Sequence, residues 1–267
     1  MITIRDLSKV FGKREAEALA MAGQGAGRAE ILAATGATLA LNQVSLDIPA
    51  GQVFVLMGLS GSGKSTLVRH LNRLVEPSRG AIEIGGEDIL ALDAKALRQL
   101  RRQKISMVFQ GFGLLPHLSV RDNIAFGLIA RGEPKAEAHD KARQWITTLG
   151  LDGYQDARPD ALSGGMRQRV GLGRALAVDT GILLMDEAFS ALDPLIRAEM
   201  QDMLQDLQRR LKKTVVFVTH DLAEAVRLGD TIAMLRDGAV VQVGAPDDIL
   251  NHPADDYVAR FVAAHRR

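Results

Sequence analysis

The apolar run Val53-Phe-Val-Leu-Met57 passes directly into Gly58-Leu-Ser-Gly-Ser-Gly63-Lys64-Ser65-Thr66, and few folds accommodate that junction. Five consecutive apolar residues bounded by glycine read as a buried strand, and Leu67–Val75 reads as helical. The loop is therefore a strand-to-helix turn of the form G-x-x-x-x-G-K-[ST]. Gly58, Gly61 and Gly63 let backbone N–H groups turn inward around phosphate oxygens with no Cβ in the way. The helix N-terminus adds partial positive charge, Lys64 brings a point charge to β- and γ-phosphates, and Ser65 can offer its hydroxyl to Mg2+. A glycine-rich turn with an incidental Lys-Ser is the competing reading, and the strand before it and the helix after it argue against that. The motif points to a nucleoside triphosphate and says almost nothing about its purpose.

Ile105–Phe109, Ile182–Met185, Val215–Thr219 and Ile232–Leu235 are further short aliphatic runs that read as mostly buried strands. Helical patterns lie between several of them. In Pro194–Leu211 the residues Ile196, Met200, Met203, Leu204, Leu207 and Leu211 share one helix face, with Pro194 in the first turn. Strands alternating with helices predict an α/β fold around a largely parallel sheet. Two segments depart from this. Residues 15–38 hold nine Ala and four Gly with no strand signal, which predicts a partly helical insertion. Residues 111–162 read as an inserted helical subdomain, with helices over Val120–Ala130 and Lys135–Leu149.

Composition excludes several function classes. The 267 residues carry 33 basic and 32 acidic side chains, which removes the simplest argument for a nucleic-acid binder. With no cysteine the chain holds no disulfide, thiolate metal site or cysteine nucleophile. The longest uncharged stretches, Ile31–Leu46, Ile48–Gly63 and Ile105–Val120, are 16 residues each, short of the about 18–20 apolar residues a spanning helix needs. The N-terminal Met-Ile-Thr-Ile-Arg-Asp lacks the basic-then-apolar pattern of a secretory signal. A soluble cytoplasmic protein is expected.

Two more clusters carry chemistry. Ile182-Leu-Leu-Met185 ends in Asp186-Glu187, and acids at the end of a buried strand are costly to desolvate without a use. Asp186 is placed to hold Mg2+, directly or through water, and Glu187 to accept a proton from an attacking water. A solvated turn is the alternative. Leu162-Ser-Gly-Gly-Met166 precedes an apolar helical pattern. There Ser163 is a fair N-cap, and Gly164 and Gly165 let a phosphate approach a second helix N-terminus. One ATP has one γ-phosphate, so a second cradle points to the nucleotide of another subunit; standing alone, it would read as an ordinary Gly-Gly turn.

Taken in order, the phosphate loop, Gln110 after a strand, Leu-Ser-Gly-Gly, Leu-Leu-Met-Asp-Glu, Ser190-Ala-Leu-Asp193 and Thr219-His220-Asp221 resemble an ATP-binding cassette (ABC) ATPase over essentially the whole chain. The resemblance implies a P-loop NTPase (RecA-like) α/β core with an antiparallel β subdomain and an inserted helical subdomain. It places core residues at 1–110 and 163–250, the insertion at 15–38, the helical subdomain at 111–162 and a C-terminal helix at 251–267, in a single ABC domain; members of this type often continue into a C-terminal pair of CBS domains, and no CBS domains are expected within these 267 residues. It implies ATP and Mg2+. Gly58, Ser60, Gly61, Ser62, Gly63, Lys64, Ser65 and Thr66 would hold ATP, and Phe11 is the best match to the aromatic residue that stacks adenine. Ser65, Gln110 and Asp186 would face Mg2+. Glu187 would be the general base, helped by Gln110, Lys64 and His220 at the γ-phosphate. Ser163, Gly164, Gly165 and Met166 would contact the partner's ATP, and Asp193 would be exchanged between subunits of a homodimer. Met166 stands where the broader family usually has Gln.

The longer strings Met57–Thr66, Ser163–Gly171 and Met185–Arg197, with the N-terminal insertion, are similar to ATPase subunits of glycine betaine/proline (quaternary-amine) importers. In that branch Met166 is the common residue. This implies transmembrane permease subunits as partners, a substrate-binding protein acting indirectly, no nucleic acid, and a peripheral position on the cytoplasmic face of a bacterial inner membrane. The alternatives are an ABC ATPase of another solute transporter, a soluble non-transport ABC ATPase, and a nucleotide-dependent regulatory protein.

Overall fold

The structure is a computed structural model describing residues 1–265; the last two residues of the expected 251–267 helix lie outside the described residues. The chain divides into two compact units, Met1–Asp93 with the segment from Val218 onward, and Ala94–Phe217. The first unit runs β1 (Ile2–Phe11), α1 (Glu15–Gly23), α2 (Arg28–Thr35), β2 (Thr38–Ile48), β3 (Val53–Met57), α3 (Lys64–Leu71), β4 (Arg79–Ile84) and β5 (Glu87–Asp88). The second runs α4 (Ala94–Gln103), β6 (Ile105–Val108), α5 (Val120–Ala130), α6 (Lys135–Thr148), α7 (Gly164–Ala177), β7 (Ile182–Asp186), α8 (Pro194–Leu211) and β8 (Thr214–Thr219). The division falls within β8, and the first unit resumes with α9 (Leu222–Leu228), β9 (Thr231–Arg236), β10 (Ala239–Gly244), α10 (Pro246–Asn251) and α11 (Asp256–His265). Among the described residues no helix is long and apolar enough to cross a membrane.

In the first unit β3 pairs parallel with β9, from Phe54 against Thr231 to Met57 against Met234, and β10 pairs antiparallel with β9. In the second, β6 and β7 pair parallel, from Ile105 against Ile182 to Val108 against Met185. All five residues of β3 and of β7 are buried. Strands covered on both faces need apolar residues at every position, so they stand out in the sequence as uninterrupted runs. The antiparallel sheet of the first unit, ordered β2-β1-β4-β5, does not. The β1–β2 register shifts between Ile4 and Leu7, between Leu7 and Lys9 and again between Lys9 and Val10. Asp6 sits at φ +47°. Each irregularity turns the following side chains to the other face, which destroys the period of two by which a strand is read.

The insertion is packed onto the first unit. Ala18 of α1 and Ile31 of α2 are fully buried with Val10, Ala37 and Leu39, and Leu19, Met21, Ala22 and Ala26 pack around them. Alanines give these helices little amphipathic contrast while letting their backbones approach closely. Thr35 Oγ1 donates to the Ile31 carbonyl, and Gly36 ends α2 at φ +67°. Ile31→Ala should lower stability by about 2–5 kcal/mol, whereas Leu32→Ala, at a position 50% exposed, should change it by less than about 0.5 kcal/mol. Urea titrations of both variants check this; equal midpoints would show that the insertion's core contributes nothing.

Candidate functional site

In the first unit β3 and α3 carry the phosphate loop, and steric demand accounts for two of its glycines. A Cβ on Gly58 (φ +148°) would lie 2.2 Å from the Leu235 carbonyl oxygen, and one on Gly63 (φ +106°) 2.7 Å from that of Ala40. Lys64 is only 3% exposed, and its Nζ donates to the carbonyls of Gly58 and Leu59, both at 2.9 Å. The buried Ser62 Oγ has no hydrogen-bond partner among the described residues. Gly63 begins α3 without a side-chain cap. A buried cation, an unsatisfied hydroxyl and an uncapped helix start together make a cradle for an anion.

Two other expected residues of this unit sit at strand ends. Phe11 closes β1, 45% exposed, with Lys9 Nζ 5.1 Å from its ring centroid. His220 is exposed just after β8. The chain around it is fixed: Thr219 Oγ1 donates to Glu224 Oε2 at 2.6 Å and accepts from the Asp221 N–H at 3.0 Å. Asp221 in turn caps α9 by accepting from the N–H groups of Ala223 and Glu224.

The second unit holds the acidic group. Asp186 ends β7 and is 1% exposed. Glu187 follows at φ +47°, a left-handed conformation costing a non-glycine residue on the order of 1–2 kcal/mol. Its carbonyl accepts from the Ser190 N–H at 3.2 Å and from Ser190 Oγ at 2.9 Å, which holds that conformation. Gln110 Nε2 donates to Glu187 Oε2 at 3.1 Å, joining residues 77 positions apart. The segment carrying Gln110 is tied on its other side to α7: the Arg167 guanidinium stands 5.2 Å from the Phe112 ring centroid, and Arg174 Nη1 donates to the Gly113 carbonyl at 2.7 Å.

Ser163 caps α7, its Oγ accepting from the Met166 N–H at 3.3 Å. A Cβ on Gly165 would lie 2.5 Å from Ile196 Cγ2, so glycine there lets the starts of α7 and α8 pack together. Asp193 caps α8 by accepting from the Ile196 N–H at 3.1 Å, with Pro194 following. Ser163 and Asp193 are both exposed. Among the described residues no group of three or more His, Asp or Glu stands ready to hold a metal. The buried Asp186 carboxylate of the second unit and the Ser65 hydroxyl of the first are each oxygen ligands of the kind Mg2+ takes.

The pattern of loop, acid pair and capped Ser-Gly-Gly helix is matched at family level: the model described as ABC transporter matches residues 41–190. The chain belongs to the ABC transporter family. This ABC chain is 54% identical over 260 residues to the glycine betaine/proline betaine transport system ATP-binding protein ProV of Escherichia coli, covering 97% of this chain and 65% of that protein. It is 52% identical over 261 residues to the glycine betaine/carnitine transport ATP-binding protein GbuA of Listeria monocytogenes, covering 98% and 66%. The chain thus spans just under two thirds of the length of these relatives. A solved ABC cassette, MJ0796, dimeric and bound to ADP and Pi in a post-hydrolysis state, superposes with a TM-score of 0.78 at 31% identity, covering 92% of this chain and 99% of that one.

One contact to the phosphate loop of this ABC chain escapes sequence reasoning. Arg28, the first residue of α2, donates from Nη1 to the Gly61 carbonyl at 2.9 Å. The only signal was a basic residue opening a helix, where the macrodipole disfavours it. At the start of α7, Gly165→Ala should cost about 1–3 kcal/mol through overpacking on Ile196, and in an Ile196→Ala background the same change should be nearly neutral. Thermal melts of the four chains complete the double-mutant cycle; strictly additive losses would contradict the packing account.

Proposed function

We propose that this chain is the ATP-hydrolysing subunit of an ABC importer for quaternary amines or related compatible solutes, of the glycine betaine, choline or proline type. The observation that carries this is the glycine cradle with buried Lys64, in a chain more than half identical over nearly its whole length to glycine betaine transport ATP-binding proteins. Two copies would bind two ATP head to tail, each site pairing one chain's phosphate loop with the other's Ser163, Gly164, Gly165 and Met166. Asp193, placed beside that helix start, would be exchanged at the same contact. The subunits would sit peripherally on the cytoplasmic membrane face, driving transmembrane permease subunits fed by a substrate-binding protein.

The chemistry is mainly positioning and charge stabilisation. Lys64 and the loop amides receive the phosphate oxygens. Ser60 and Ser62 lie in the same turn and Thr66 in the first turn of α3, and Phe11 offers a ring to the adenine. Glu187, oriented by Gln110, takes the proton of the attacking water, and His220 contacts the γ-phosphate. Bound Mg2+ would be held by Ser65 and Asp186, with Gln110 facing it, and would supply charge neutralisation to the phosphates.

Glu187→Gln should leave ATP affinity within about threefold while turnover falls by about 10²–10⁴-fold. Lys64→Ala should weaken ATP binding by at least about tenfold. Calorimetric titration and phosphate release check both, and normal turnover in Glu187→Gln would overturn the base assignment. For the cargo, proteoliposomes holding this subunit and its permease should hydrolyse ATP faster when the binding protein carries glycine betaine or choline. Indifference to every methylated amine would overturn the proposed solute class.

A further inference from the structure

We propose that Arg28, delivered by the inserted helices, is a positioning residue of the phosphate loop: it holds the Gly61 carbonyl in place and thereby sets the loop's affinity for ATP. The inference rests on the reading of that loop as an ATP site and adds a residue the motif does not contain.

Gly61 lies at φ +77°, and nothing stands within 4 Å of where its Cβ would be, so no side chain of its own packs here and hydrogen bonds on both sides hold the peptide between Gly61 and Ser62. Its carbonyl accepts from Arg28 Nη1 at 2.9 Å, and its N–H, on Ser62, donates to the Leu59 carbonyl at 3.1 Å. In a trans peptide these two groups point in opposite directions. A flip would aim the Gly61 oxygen toward the Leu59 carbonyl, the same oxygen that receives the Lys64 ammonium at 2.9 Å. It would then compete for the charge that is meant for a phosphate. Arg28 opposes that flip.

The guanidinium is itself well anchored. Its other terminal nitrogen donates to the Ala40 carbonyl of β2, so one planar fork ties the loop to the neighbouring strand through two separate nitrogens held at a fixed spacing, which a lysine's single ammonium lacks. Ile31, one turn along α2, is fully buried with Val10, Ala37 and Leu39. The turn at Asp237-Gly238 completes the seat: Asp237 attracts the guanidinium while burial lowers its pKa below the ordinary value. A Cβ on Gly238 would lie 2.6 Å from Arg28 Nη2. The Gly238 N–H donates to the Ser62 carbonyl at 3.0 Å, so consecutive loop carbonyls are restrained from one side. An arginine at the first position of a helix opposes the macrodipole, and its double contact explains why it stands there.

The test uses the full chain. In the nucleotide-free protein, Arg28→Ala should speed hydrogen exchange at the Ser62 amide by at least about tenfold. Arg14→Ala, which removes an arginine just before the insertion, bonded to Glu17 and the Ala34 carbonyl, should leave that rate unchanged. By calorimetry the Kd for MgATP should rise about tenfold in Arg28→Ala, with kcat at saturating ATP within about twofold of the parent. Arg28→Lys, which keeps the charge but loses the fork, should fall between the two. Exchange and Kd both at parental values in Arg28→Ala, or a loss of kcat with unchanged Kd, would overturn the proposal. A parent chain that binds no ATP would overturn the reading of the loop instead, and the exchange rates would still decide the role of Arg28.

Discussion

Backbone amides can receive an anion only where the carbonyls of the same turn are directed elsewhere and satisfied there. Much of the first unit serves that requirement. The carbonyls of Gly58 and Leu59 take the Lys64 ammonium, that of Gly61 takes Arg28, that of Ser62 takes the Gly238 N–H, and that of Gly63 takes the Leu67 N–H. These donors come from α3, from the insertion and from the β9–β10 turn, while β2 supplies the Ala40 carbonyl that leaves no room for a side chain at position 63. Elements far apart in sequence are therefore fixed around six loop residues.

The second unit meets a different constraint, the orientation of one carboxylate. Glu187 occupies a left-handed conformation that most residues avoid, held by Ser190 and reached by Gln110. Because Gln110 lies three residues from Arg174's acceptor Gly113 and two from Phe112, a shift of the chain after β6 would be felt both at Glu187 and at α7. That arrangement suits a protein in which nucleotide state and the position of a helical segment are linked. The exposed caps Ser163 and Asp193 stand at two helix starts that pack together through Gly165 and Ile196.

Much of this was legible in the sequence because it is written in residues that tolerate little substitution. The fully buried strands β3 and β7 appear as unbroken apolar runs, and Pro194 after Asp193 marks the start of α8. The glycines at 58, 63 and 165 show where backbones approach closely. The bulged β1 and β2 were not legible, since repeated register shifts scramble their alternation. Nor were α1 and α2 as packed helices, because alanine contributes close approach and almost no contrast. Arg28 and the left-handed Glu187 belong to a third kind: their importance lies in a backbone geometry that forms only once distant segments meet.

Selective 15N-glycine labelling tests directly whether the amides of loop 58–63 and the first turn of α3 receive the phosphates of ATP, since Gly58, Gly61 and Gly63 report from the loop while most of the 26 glycines lie elsewhere. On titration with MgATP the Gly63 amide should show one of the largest shifts, as its N–H comes to face a phosphate oxygen, and the same titration with adenosine should leave it unmoved. A saturable response that spares the loop glycines, or equal shifts with adenosine and ATP, would contradict the account.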